Sequence, residues 1–262
     1  MFELQKHGDL EYYTIDSFLK DTKHCFTTRR GGVSKDEFSS MNLRFNCNDS
    51  RENVLKNFEI ICNEIGIDYK RLILSKQVHE DKVIPVTSAD CGNGIVYPNK
   101  FESADALICG ERNVPIATFF ADCVPIFFLD PKNKVIALAH SGWKGTVKNI
   151  AAKTVEAFEK LYNSRAEDIL CAIGPSIGVC CFEVGDEVSD VFFDKFGDSV
   201  LEKHADRWHV NLQKTIALEL KNAGAVHIDT ANICTSCNSD LLFSHRKTNG
   251  RRGNLAAIAD LK

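Results

Sequence analysis

The chain lacks any apolar run long enough to cross a membrane. Its most apolar stretch, Val114–Leu129, is interrupted by Pro115, Asp122 and Pro125 and falls short of a spanning helix. The first residues, MFELQKHGDLEYYTIDSF, carry charges throughout and have no apolar core of the kind a secretory leader needs. The expectation is a cytoplasmic protein without membrane association. No basic block is present and the net charge is −4, so nothing draws the chain broadly to nucleic acid. Also missing are a G-x-x-x-x-G-K-[ST] loop and a strand–GxGxxG–helix pattern, the glycine-rich signatures of triphosphate and dinucleotide sites. Without repeats, low-complexity tracts or a Pro/Gly/Ser-rich linker, the chain is expected to fold as one domain over residues 1–262.

What is present is a composition of 44% hydrophobic and 26% charged residues, ordinary for a globular protein. The 11 cysteines are an odd number, in a chain long enough to bury a core without crosslinks. Cys62, Cys109 and Cys171 lie in apolar segments and read as small buried hydrophobes. Cys123, Cys180, Cys181, Cys234 and Cys237 stand beside turn residues or polar groups. CTSC, with Cys234 and Cys237, has metal-site spacing, but no second C-x-x-C pair completes it, and the vicinal Cys180–Cys181 reads as structural.

Helical periodicity appears in RENVLKNFEIICNEIG, TVKNIAAKTVEAFEKLY and NLQKTIALELKNAG, the last opened by an Asn211 cap and closed by Gly224. Strand-like runs fall between them: RLILSKQVH, KVIPVT, ADALIC, VPIATFF, VPIFFLD, KVIALAH, DILCAIG and AVHID. Several are continuously apolar, as in strands covered on both faces. The short polar turn in LDPKNK predicts an antiparallel hairpin and argues against a purely parallel sheet. The expected class is α+β, with mixed sheets flanked by helices in α/β/α layers.

Three of these runs lead to metal-ligating side chains. RLILSKQVH ends at His79, VPIATFFADC reaches Cys123, and KVIALAH ends at His140. If the strands share a sheet, their ends bring together two imidazoles and a thiolate, a catalytic zinc set with a fourth position free. Each residue alone also has a structural reading, as a hydrogen-bonded strand-end histidine or an inert buried thiol. In AHSGWKGT the glycines permit close backbone approach, the following helix offers free N–H groups, and Lys144 adds a point charge. TTRRGGVS and SHRKTNGRRG set arginines among turn residues, which suits phosphate or carboxylate, or simply solvated loops.

Taken together, TTRRGGVS, SSMNL, QVH, ADALIC, ADCVPI, AHSGWKGT, AIGPSIGVCCFEVG and FSHRKTNGRRG resemble the YfiH family, the laccase-domain or multicopper polyphenol oxidoreductase-like proteins, also described as purine nucleoside phosphorylases. The motifs run in family order across nearly the whole chain. The resemblance implies a compact layered domain related in fold to a group of cysteine hydrolases, with metal ligands His79, Cys123 and His140. It implies a zinc-dependent enzyme, copper being the other candidate metal, that phosphorolyses adenosine, inosine, guanosine and methylthioadenosine and deaminates adenosine. The chain departs from the family in carrying Lys144 where H-x-G-W-R-G has Arg, in pairing Arg246 with Lys247 rather than a second arginine, and in lacking a glycine before Asp49.

On this reading the metal activates water for attack on the purine C6 during deamination. Asp122, beside a ligand, is the candidate acid/base, with Glu183 as a second choice. Arg30, Asn42, Lys144, Arg246 and Arg251 are the candidate substrate- and phosphate-binding residues. The rivals are a metal-free cysteine hydrolase with Cys123 as nucleophile, His140 as base and Asp122 orienting it, a copper-dependent polyphenol oxidase, and a peptidoglycan-precursor editing factor. Copper oxidation is weakened by His7, His24, His204, His209 and His227 being scattered. Expected partners are purine nucleosides and phosphate, with no nucleic acid or membrane, in a monomer or homodimer.

Overall fold

The continuously apolar runs form the middle of two stacked sheets. The computed structural model describes Met1–Lys262, and in it Val124–Asp130, Val135–Ser141 and Leu255–Leu261 are buried along their whole length. The first sheet has the order Phe2–His7, Leu10–Ile15, Thr22–Thr27, Leu255–Leu261, Ile116–Phe120, Ile73–Leu74. Its pairs are antiparallel except the last, which is parallel. The second sheet has the order His227–Thr230, Leu170–Ile173, Val124–Asp130, Val135–Ser141, Ala106–Cys109, Val83–Pro85. Here the outermost pair on each side is parallel and the three inner pairs are antiparallel. Glu183–Val184, Arg207–Val210 and Leu201–His204 make a small antiparallel sheet.

Six α-helices complete the chain: α1 (Arg51–Glu64), α2 (Trp143–Val147), α3 (Ile150–Tyr162), α4 (Asp186–Phe196), α5 (Leu212–Asn222) and α6 (His245–Thr248). Alternating strand residues divide the core. Phe127, Leu129, Leu138 and Leu107 meet Phe26, Phe120, Leu255 and Ala257 between the two sheets. The alternate residues Ile126, Phe128 and Ala137 turn outward onto α3 and α5. Val54, Phe58, Ile61 and Cys62 of α1 cover the far face of the first sheet through Cys25, Ala117 and Ile258. The layered mixed-sheet fold is therefore present, and its β layer is two sheets thick. No helix is long and apolar enough to cross a membrane.

The LDPKNK hairpin forms as expected, with Asp130 opposite Val135. Asp130 folds the turn by accepting from the Lys132 and Asn133 amides at 2.8 and 3.0 Å and from Asn133 Nδ2 at 2.8 Å. Helix α1 begins at Ser50, whose hydroxyl accepts from the Asn53 amide, and Asn211 caps α5 the same way through the Lys214 amide.

Three local expectations change. The periodic segment around residue 146 splits into α2 and α3, because Asn149 sits at φ 62, a left-handed conformation that Asn tolerates. Helix α4 lies outside the expected helices, although it is amphipathic, with Ser189 and Phe192 buried. RLILSKQVH is a strand only at Ile73–Leu74; the chain then leaves the sheet, and His79 lies in a loop at φ 62. The strands that lead to His79 and Cys123 belong to the first sheet and the one that carries His140 to the second, so a single shared sheet does not assemble the trio.

Candidate metal centre

The trio assembles where the chain crosses between sheets. Ala121–Cys123 links Ile116–Phe120 of the first sheet to Val124–Asp130 of the second, and His140 is the penultimate residue of the neighbouring Val135–Ser141 strand. One ligand atom each of His79, Cys123 and His140 lies within 4.8 Å of the others. Cys123 Sγ is 4.0 Å from His79 Nε2, and the two imidazoles meet edge to face with ring centres 4.9 Å apart.

Asp105 organises this group, although nothing marked it out within ADALIC. It is fully buried, and its carboxylate accepts from the Val78, His79 and Glu80 amides, each at 3.0 Å. The same carboxylate meets His140 Nδ1 at 2.9 Å, which leaves Nε2 for the centre. Burial raises the Asp105 pKa, but His140 and the amides outweigh it and hold the group ionised. Burial likewise raises the Cys123 thiol, yet His140 and His79 bring it down to about 6. For His140 burial acts downward, and the Cys123 thiolate and Asp105 lift it to about 9. Without metal the pair is thus a thiolate beside an imidazolium.

The glycines of AHSGWKGT now have a steric reason. A Cβ on Gly142 would stand 3.0 Å from Cys123 Sγ and 3.1 Å from His79 Cδ2, and one on Gly145 would press to 3.3 Å of the Glu80 carbonyl. Asp122 holds the crossing turn at φ 91: one carboxylate oxygen accepts from Thr235 Oγ1 at 2.6 Å and the other from the Arg246 amide at 2.7 Å. Both oxygens are committed to the scaffold.

The trio opens on a cavity of about 800 Å³. Phe45, Phe119, Trp143 and Phe182 supply aromatic walls, and Arg44, Arg51, Arg246, Arg252 and Lys76 make it cationic, while burial and then Arg252 lower the pKa of His245. Arg252 is largely buried, its Nε has no partner, and its pKa is lowered by burial and then by Arg44. Its Nη2 lies 3.4 Å from His245 Nδ1.

The other sequence candidates are scattered around this cavity. Asn42 is fully buried and ties the Arg44 loop, accepting from the Arg44 and Asn254 amides and donating to Asp49. Arg246 lines the cavity but donates its guanidinium to the Cys181 and Glu183 carbonyls at 3.0 Å. Arg30 is exposed and lines no part of it, and Arg251 faces a separate pocket with Arg29 and Arg252. Lys144 is exposed, with its ammonium 5.6 Å from the Trp143 ring centre. Glu183 is exposed outside the cavity, 3.8 Å from Arg207. Arg44 carries no local signal, and Arg252 belongs to the SHRKTNGRRG loop without standing out in it, because only the fold turns the two inward.

A family model described as multi-copper polyphenol oxidoreductase laccase matches residues 23–262. The chain belongs to this family, that of the YfiH or laccase-domain proteins. Among its relatives, purine nucleoside phosphorylase YlmD of Bacillus subtilis is 33% identical over 90% of this chain and 87% of its own. Purine nucleoside phosphorylase YlmD of Geobacillus stearothermophilus is 35% identical over 88% of this chain and 87% of its own. The crystal structure of the Bacillus licheniformis hypothetical protein YfiH superposes with a TM-score of 0.93, covering 99% of both chains at 30% identity. Two imidazoles and a thiolate fit zinc or copper by donor type. This laccase-domain chain gathers only one other ligand set, and that set is all cysteine: Cys180, Cys181, Cys234 and Cys237. His204 and His209 stack with ring centres 4.5 Å apart, but no second group of three ligands contains histidine. The C-x-x-C pair that lacked a partner in sequence thus lies beside the vicinal Cys180–Cys181, which sequence marked only as structural.

Proposed function

We propose that the chain is a zinc-dependent purine nucleoside phosphorylase acting at His79, Cys123 and His140, with adenosine, inosine, guanosine and methylthioadenosine as substrates and adenosine deamination as a second reaction of the same centre. The observation that carries the reading is the trio's position on a cavity that combines aromatic walls with the guanidinium groups of Arg44, Arg51, Arg246 and Arg252, which have no carboxylate partner. The curated relatives named as purine nucleoside phosphorylases point the same way.

A zinc ion held by the trio would supply a Lewis acid facing the cavity. The aromatic side chains suit the faces of a purine, and the guanidinium groups of Arg44 and Arg252, which line the cavity, suit phosphate. In phosphorolysis a phosphate oxygen bonds to C1′ of the ribose as the C1′–N9 bond breaks, and the purine leaves with a proton. Cationic groups that crowd one another in the cavity gain by meeting that phosphate. Arg246 and Asp122 act as positioning residues, because their side chains hold the turn and the loops around it. A cytoplasmic location accords with eleven cysteines, none of them in a disulfide. Incubating the purified protein with adenosine, with and without phosphate, and separating the products tests the proposal. Adenine formed only with phosphate supports phosphorolysis, and inosine supports deamination. Neither product would overturn it.

The Asp105–His140–Cys123 arrangement also favours a second reading, a metal-free cysteine hydrolase in which Asp105, rather than Asp122, orients the base. Chelation separates the two: activity lost with the metal and restored by zinc excludes the hydrolase.

A further inference from the structure

The second sulfur cluster stands apart from the cavity. Cys180 and Cys181 lie in the loop between Leu170–Ile173 and Glu183–Val184, and Cys234 and Cys237 follow the His227–Thr230 strand. None of the four lines the cavity, and none is in a disulfide. All four sulfurs lie within 4.8 Å of one another, and Cys237 Sγ is 3.5 Å from both Cys180 Sγ and Cys181 Sγ.

Four thiolates bound tetrahedrally at a Zn–S distance of about 2.3 Å stand about 3.8 Å apart. The cluster brackets this spacing, with two sulfur pairs at 3.5 Å and all four sulfurs within 4.8 Å of one another. An iron–sulfur cube, with a whole inorganic cluster between its thiolates, needs a wider setting. A single disulfide is disfavoured as the purpose of the group, because Cys237 is equidistant from two partners and a fourth sulfur remains beside them. We infer that Cys180, Cys181, Cys234 and Cys237 form a closed tetrathiolate site for a structural zinc ion, independent of the centre at His79, Cys123 and His140.

The surroundings fit that role. The Gly178 amide donates to Cys234 Sγ at 3.2 Å, the kind of support that thiolate ligands receive from the backbone. A Cβ on Gly178 would stand 3.1 Å from Cys234 Cβ and 3.2 Å from Cys180 Sγ, so glycine lets the two loops close on each other. Their backbones already interlock through Ser176 N to the Ile233 carbonyl at 3.1 Å and Thr235 N to the Ser176 carbonyl at 2.9 Å. Cys180 and Cys237 are exposed, which gives an ion a path in. On binding, each protonated thiol gives its proton to solvent, leaving a zinc tetrathiolate of charge about −2.

The site would brace the candidate centre from behind. Ile177 N donates to the Asp122 carbonyl at 2.8 Å, and Thr235 Oγ1 donates to the Asp122 carboxylate at 2.6 Å. Both loops joined by the four sulfurs therefore grip the turn that presents Cys123. Zinc here acts on the fold and makes no contact with substrate.

The protein of residues 1–262, reconstituted with zinc under reducing conditions and freed of excess, is compared with Cys180→Ser/Cys237→Ser and with Cys123→Ala by metal analysis. The expected result is about two zinc ions per wild-type chain and about one in each variant. Loss of the tetrathiolate zinc should also lower the melting temperature. Cobalt in place of zinc in Cys123→Ala, which keeps all four cysteines, should give the intense visible absorption of a tetrahedral thiolate complex. Equal zinc in the wild type and Cys180→Ser/Cys237→Ser, iron in place of zinc, or no tetrahedral cobalt spectrum in Cys123→Ala would overturn the inference. Failure of Cys123→Ala to lose zinc while that spectrum persists would count against the catalytic centre alone.

Discussion

Asp105 and Gly142 shape the candidate metal centre without being ligands. Asp105 joins the backbone of the His79 loop to the His140 ring, so Asp105→Asn should weaken metal binding by about 10–100-fold while leaving the fold intact, as read by metal titration beside circular dichroism. Gly142→Ala forces a methyl group to 3.0 Å from Cys123 Sγ, and its expected outcome is a larger loss of metal affinity than any exposed substitution on α2. The charges give a proton count. Cys123 titrates near 6 and His140 near 9, so between those values the pair holds one proton, on His140. Metal must displace it: calorimetry in buffers of different ionisation enthalpy at pH 7.5 should show about one proton released per ion from this pair. Below about pH 6 the thiol is protonated as well, the pair releases two, and affinity should fall more steeply. At this scale His79, Cys123 and His140 were legible, because metal-ligating residues stood at the ends of apolar runs. Asp105, Arg44 and Arg252 were not, because each depends on a partner far away in sequence. Arg30, Arg251 and Lys144 show the converse: a local cluster of cations and glycines does not say which side faces a cavity.

At the scale of elements, burial patterns decided what could be read. The hairpin after Asp130 and helices α1 and α5 follow their turn and cap signals, whereas the α2–α3 break rests on one left-handed Asn149 inside a periodic run. Helix α5 contains a conflict of its own. Glu219 is buried, both its carboxylate oxygens lack partners, and burial, opposed by Lys195, lifts its pKa to about 8. The folded state therefore keeps a proton that the unfolded chain releases above its ordinary carboxylate range. From this group, stability should fall as pH rises from about 4.5 to about 8 and then level off. Glu219→Gln should remove that slope and stabilise the protein by about 2–4 kcal/mol at pH 8, as measured by urea unfolding across pH.

For the whole molecule, the two stacked sheets explain why the centre lies where it does. A chain that passes from one sheet to the other must turn outside their shared core, and the Ala121–Cys123 crossing does so beside the end of the His140 strand. A sequence of alternating apolar runs implies layers and mixed pairing but does not say which strands share a sheet, which is why the trio could be anticipated and its support could not. The phosphorolysis proposed from the cavity and from relatives named purine nucleoside phosphorylases is the central claim. The most direct measurement is the yield of hypoxanthine and ribose 1-phosphate from inosine by the zinc-loaded protein and by His79→Ala, with and without phosphate. The expected result is equimolar formation of both products by the wild type, only when phosphate is present, and a drop of at least about 100-fold in His79→Ala. Hypoxanthine formed equally without phosphate, or at an undiminished rate by His79→Ala, would contradict it.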